Sequence, residues 1–149
     1  MTEEDLIELK DHLETQLGDA LASAEIAFGE LTIVTSASKI LSVLKFLRDD
    51  QLCRFIQLID LCGVDYPQRT KRFDVVYHLL SMHVNQRVRV KVPVAEDQAI
   101  ASAIDVYPCA NWFEREAFDM YGIQFENHPD MRRILTDYGF EGYPLRKDF

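Results

Sequence analysis

At 149 residues, 48% of them hydrophobic, the chain is long enough for one domain plus an extended tail and too apolar for global disorder. Its formal charge of -9 is uneven: residues 1–30 carry nine acids against Lys10 alone, so the rest is close to neutral. An acidic first helix on a near-neutral body argues against nucleic acid and anionic membrane as partners. Cys53, Cys62 and Cys109 are odd in number and have no CxxC spacing. They argue against a disulfide framework and against a zinc or iron–sulfur site, and they fit inert thiols in a reducing compartment.

No apolar run approaches a membrane span, and the N-terminus has neither a signal peptide's basic and apolar regions nor a transit peptide's composition. The expectation is a soluble chain. Thr2-Glu3-Glu4-Asp5 resembles a capping box, and Leu6, Leu9, Leu13 and Leu17 share one face of the helix that follows, with Gly18 as its stop. Residues 24–28 and 31–35 read as a hairpin around Gly29-Glu30. Ser36 or Ser38 is placed to cap a second helix, with Ile40, Val43, Leu44 and Leu47 inward and Asp49-Asp50 at its end.

From Phe55 to Val64 the chain is apolar on both faces apart from Gln57 and Asp60, as in a central strand covered on both sides. Residues 66–72 are a polar loop. Residues 73–83 form a second long strand with Phe73, Val75, Tyr77 and Leu79 on one face. After a turn at Asn85-Gln86, Val88, Val90 and Val92 alternate with Arg87, Arg89 and Lys91, and Pro93 ends the strand. The basic stripe reads as a solvated sheet face. Residues 96–104 read as a short helix, and Tyr107-Pro108 breaks the chain before another. The order α-β-β-α-β-β-β predicts an α+β fold: a two-layer domain with a mixed sheet and helices on one face, followed by short helices and an extended C-terminal arm. The expected division is an α+β domain over 1–111 and a helix plus docking arm over 112–149.

The last quarter carries a dense set of aromatics, Trp112, Phe113, Phe118, Tyr121, Phe125, Tyr138, Phe140, Tyr143 and Phe149, together with Arg115, Arg132, Arg133 and Arg146. After His128 it has neither helical nor strand period. Aromatic and arginine side chains anchor protein interfaces, so this stretch is expected to dock on another protein. Glu114 and Glu116, with His128, invite an acid/base reading, but carboxylates at i and i+2 on a helix point apart. They are expected to pair with Arg132, Arg133 or a partner's basic residue. His78 and His83, five apart on one strand, face opposite sides and make a poor metal pair, and His12 is remote. No glycine-rich phosphate loop is present, so nucleotide and flavin binding have no support.

Glu114-Arg115-Glu116, Asp119, Met120-Tyr121, His128, Arg132 and Ile134-Leu135 fall at the spacing of a known signature. The run from Ile134 to Gly142 and the closing Pro144-Leu145-Arg146-Lys147-Asp148-Phe149 extend the likeness. Leu61-Cys62-Gly63-Val64-Asp65-Tyr66-Pro67 is similar in character. The stretch closely resembles the hallmark of the thirty-kilodalton subunit family of respiratory complex I, the proton-pumping NADH:quinone oxidoreductase; its members are also known as the C subunits of that enzyme. Members often continue beyond the motif, whereas this sequence ends at Phe149. The resemblance implies a non-catalytic assembly subunit of the hydrophilic arm with no catalytic residues, cofactor or metal of its own; FMN, iron–sulfur clusters and quinone would sit on other subunits. It implies packing against the larger quinone-pocket subunit and neighbouring iron–sulfur subunits. Membrane association would come only through the complex, on the cytoplasmic face of a bacterial inner membrane or the matrix side in an organelle. The implied docking residues are Glu114, Arg115, Glu116, Asp119, His128, Arg132, Arg133, Tyr138, Phe140, Arg146, Lys147 and Phe149. Related subunits of membrane-bound hydrogenases are the alternative.

Overall fold

A computed structural model describes residues 3–83, 85–129, 131 and 142–148. The first helix, α1 (Glu3–Leu17), has Glu3, Glu4 and Asp5 in its first turn, where negative charge suits the helix dipole, and buries Leu6, Leu9 and Leu13. Thr2 lies outside the described residues. Gly18, at φ +51, ends α1 and leads into a 3-10 turn. β1 (Leu21–Ala27) and β2 (Glu30–Thr35) form the expected hairpin, turning through Phe28 and Gly29. Both turn residues have positive φ, +53 and +72, as a two-residue type I′ turn requires.

The second helix, α2 (Ile40–Asp49), buries Ile40, Val43, Leu44 and Leu47 as its period predicts. Its cap differs. Lys39 stands at the N-cap without a side-chain bond, and the Ser36 and Ser38 hydroxyls bond each other at 3.1 Å. A backbone turn, Lys39 N–H to Ser36 O, brings the chain into the helix instead.

β3 (Gln57–Asp65), β4 (Phe73–Ser81) and β5 (Gln86–Val94) complete a five-stranded sheet in the order β1-β2-β5-β4-β3. The β2–β5 pair is parallel and the others antiparallel, so the sheet is mixed. Leu31, Ile33, Leu61, Phe73, Val75, Tyr77, Leu79, Val88, Val90 and Val92 join the leucines of α1 and α2 in one buried cluster. This two-layer α+β arrangement is the one the element pattern predicts.

Three expectations are corrected. β3 is an edge strand, not a central one. Its apolar flank is met by a helix, α3 (Ala110–Tyr121), rather than by another strand. The Cys109 thiol, just before α3, reaches the Leu58 carbonyl at 3.6 Å, and the Tyr121 ring, at its end, lies over Gly63. Covering an edge with a helix protects its backbone groups from foreign strands. Pro93 does not end β5, which runs to Val94 opposite Phe73. The β2 partnership stops at Lys91, so beyond it β5 has a free side where a missing N–H is tolerated.

Residues 96–104 are not a helix. Ala99–Ala101 forms β6, paired in parallel with β7 (Gln124–Glu126), with Ile100 and Phe125 buried. A partner 25 residues away, beyond α3, overrides the local preference.

Gly63 marks the closest approach of α3 to the sheet. A Cβ there would lie 2.8 Å from Tyr121 Cδ2 and 2.9 Å from Ile123 Cδ1. Gly63→Ala is expected to destabilise the chain by about 1–3 kcal/mol, the usual cost of overpacking. Thermal melting checks this, and an unchanged midpoint would mean that α3 packs more loosely than this contact requires.

Candidate docking site

The signature stretch begins on α3, where helical period sorts its charges. Glu114 faces inward and is fully buried, while Glu116 is exposed. The Glu114 carboxylate accepts the Ser102 hydroxyl at 2.6 Å and the Ala103 N–H at 2.7 Å. His128 Nε2, also buried, lies 4.0 Å from the carboxylate. Burial pushes the Glu114 carboxyl up to about 7, against the two donated hydrogen bonds, which favour the charged form. The fully buried Tyr77 phenol is raised in turn, by its own burial first and by Glu114 second. The expected divergence of the i and i+2 carboxylates is therefore observed. Glu116 stands by the flank of β3, where its charge reaches Cys62 and Tyr121.

Asp119 is buried on the same helix. The Arg115 guanidinium lies 5.2 Å from the centre of the Trp112 ring, and Trp112 is 62% exposed. This stacked pair is the aromatic and cationic surface that α3 offers to solvent. Gly122 closes α3 in the left-handed region at φ +78 and donates its N–H to Phe118 O.

The end of the arm, residues 142–148, returns to α3. The Leu145 N–H donates to Met120 O at 3.0 Å and Arg146 Nε to Tyr121 O at 2.7 Å, so the arm satisfies carbonyls that the helix end leaves open. Arg146 Nη1 reaches Glu96 at 2.8 Å, and its guanidinium lies over the rings of Tyr143 and Phe73. Tyr143 meets Phe118 edge-on. Lys147 contributes its backbone: its N–H donates to Asp65 Oδ2 at 2.8 Å. Arg132, Arg133, Tyr138, Phe140 and Phe149, also singled out from the sequence, lie outside the described residues.

Sequence reasoning missed the receiving groups. Ser102 and Ala103 hold Glu114, and Asp65, Arg72 and Glu96 hold the arm. No sequence period links positions 65 and 147; the Asp65-Tyr66-Pro67 run was the single signal. His78 finds Asp60 and Cys62, and His12 finds Asp50 and Cys53, each trio with its ligand atoms within 4.8 Å of one another. Arg89 pairs across the strands with His78, placing a fixed positive charge beside the first. In the second, His12 bonds Asp50 at 2.9 Å, and burial pushes the Cys53 thiol up to about 12.

Residues 33–149 match the family model described as respiratory-chain NADH dehydrogenase, 30 Kd subunit. The chain belongs to this family. Its relatives include the NADH-quinone oxidoreductase C subunit of Parvibaculum lavamentivorans, 60% identical over 99% of this chain and 74% of the relative. One such C subunit of Rhizobium meliloti is 61% identical over 98% and 73%, and that of Hyphomonas neptunium 59% over 97% and 71%. A chain from the solved structure of the membrane-bound sulfane sulfur reductase, an archaeal respiratory membrane complex, superposes with a TM-score of 0.79 at 27% identity, covering 99% of this chain and 86% of that one. In this member of the 30 Kd subunit family, the matched span takes in the sheet from the middle of β2 onward and the whole candidate site, leaving α1 and β1 outside it. Among the described residues, no helix is long and apolar enough to cross a membrane.

Glu114 carries a pH signature. A carboxyl raised in the folded state favours folding fully below its ordinary value of 4.5, and that contribution is lost as pH rises to about 7. Stability from this group therefore falls between those values, by up to about 3 kcal/mol at about 1.4 kcal/mol per pH unit. Denaturant melts of the native chain and Glu114→Gln should differ more in favour of the native chain at pH 5 than at pH 8. A difference independent of pH would show that Glu114 keeps an ordinary carboxyl.

Proposed function

We propose that this chain is a non-catalytic structural and assembly subunit of the hydrophilic arm of proton-translocating NADH:quinone oxidoreductase. It docks through residues 112–149 on the larger subunit that forms the quinone pocket. The observation that carries this reading is the identity of about 60%, over nearly the whole chain, to proteins named as the C subunits of NADH-quinone oxidoreductases. The geometry agrees with it. Glu114 accepts internal hydrogen bonds and the His128 imidazole is buried 4.0 Å from it, while Glu116 is exposed, so the three groups do not converge on one substrate atom.

In this reading residues 1–111 form the supporting domain and 112–149 the docking element. FMN, iron–sulfur clusters and quinone are held by other subunits, and electrons pass from NADH to quinone without crossing this chain. The chain is peripheral, on the cytoplasmic face of a bacterial inner membrane or the matrix side in an organelle, and meets the membrane only through the complex. A second reading, an equivalent subunit of a related membrane-bound complex such as a hydrogenase, draws on the archaeal structural likeness. Its 27% identity ranks it behind the first.

A tagged chain purified from its own membranes should bring down a multi-subunit assembly with NADH:quinone reductase activity. Recovery of hydrogenase subunits would favour the second reading. A lone protein turning over a substrate, with activity lost in Glu116→Gln, would overturn both. Arg132→Ala and Arg133→Ala are expected to reduce incorporation while leaving the melting midpoint of the isolated chain nearly unchanged. An interface hot spot costs about 2 kcal/mol, or roughly thirtyfold in affinity. A variant that melts early yet assembles normally would contradict the docking role of these arginines.

A further inference from the structure

Asp65 and Arg72 belong to no part of the signature stretch, yet they form the most heavily bonded charge pair among the described residues. Asp65 ends β3 and Arg72 immediately precedes β4. The loop between them is closed by Tyr66 N–H donating to Arg72 O at 2.7 Å, so both side chains start from rigid backbone. Arg72 Nε and Nη2 donate to the two Asp65 oxygens at 2.6 and 2.9 Å, a bidentate fork. Asp65 is 2% exposed, and the guanidinium beside it holds its carboxyl below the usual range.

The pair's remaining capacity is turned toward the arm. Arg72 Nη2 also donates to Asp148 at 2.7 Å, and Asp65 Oδ2 accepts the Lys147 N–H. Arg72 Nη1 lies 3.7 Å from Glu96, which also receives Arg146. The charges alternate in sign from Asp148 through Arg72 and Glu96 to Arg146. On the far side the arm packs against the end of α3, where a Cβ on Gly122 would sit 2.8 Å from Arg146 Nη2 and from the Tyr143 ring.

A buried ion pair adds little net stability against a well-packed apolar replacement, but it penalises arrangements that leave one charge alone. A main-chain donor at Lys147 fixes the path of the backbone, whatever side chain stands there. We propose that Asp65 and Arg72 are positioning residues for the docking arm, latching residues 142–148 to the domain so that the arm's path is set before a partner binds. This rests on the reading of 112–149 as the docking element. It differs from a tail that orders only on its neighbour: assembly then spends no binding energy on ordering this segment.

The test uses the full-length chain and the assembled complex. Hydrogen exchange followed by mass spectrometry should show residues 142–148 protected in the isolated chain. Arg72→Gln should speed exchange there about tenfold while β4 and β5 peptides keep their rates. Asp148→Asn, whose side chain is 64% exposed and outside the core, should loosen the same segment about two- to threefold. Both variants should lower incorporation into the complex in the same order. Exchange at unstructured rates in the native chain, or an arm still protected in Arg72→Gln, would overturn the latch. A freed arm with native-level incorporation would overturn its positioning role. A chain lacking residues 142–149 that assembles normally would instead remove this segment from the docking reading itself.

Discussion

A carboxyl group with no access to solvent must be met by donors or become neutral, and Glu114, like Asp119 on the same helix, is under that constraint in this fold. Its two donors, Ser102 and Ala103, immediately follow β6, its own backbone is on α3, and His128 comes just after β7. The parallel pairing of β6 and β7 delivers Ser102 and His128 to the same place, and Ser102 N–H donates to the Glu126 carbonyl to extend it. The small second sheet, α3 and the entry to the arm therefore share one polar centre. Burial favours the neutral acid and the donated hydrogen bonds favour the anion; the balance raises the carboxyl to about 7, where both forms are populated near neutral pH.

The signature residues thus divide by what they touch. Glu114 and His128 face one another inside the molecule. Arg146 and the Lys147 backbone are engaged with α3 and the end of β3. Trp112, Arg115 and Glu116 stand toward solvent. The stretch thus has an internal half that fixes its shape and an outward half at the surface. In the proposed docking role, mutation of the two halves would act through different free energies, folding for the first and association for the second.

Much of the fold was legible in the sequence, because hydrophobic periodicity reports burial directly. Leu6, Leu9 and Leu13, the α2 stripe and the alternating valines of β5 are buried where their spacing placed them. The failures share a cause. Residues 99–101 carry no strand period of their own and are drawn into β6 by Gln124–Glu126. The apolar run of β3 suggested cover on both sides, but its residues alternate between buried and more exposed along an edge strand, because only one face meets the core. The site was legible as a set of residue types and illegible as a set of contacts: Asp65 lies in a run similar in character to the family, but nothing local ties it to Arg72 or to the arm.

The sequence by itself determined the order and type of the main elements, the α+β class, the absence of any nucleotide-loop motif and the signature of the 30 Kd subunit family, since these depend on local spacing and residue identity. Only the tertiary structure decided which signature charges turn inward, which strand stands at the edge, and where residues 142–148 lie. Those outcomes depend on contacts such as Asp65 with Lys147 and Phe73 with Arg146, between groups far apart in sequence. Chain closure brings them together, and no local preference encodes that meeting.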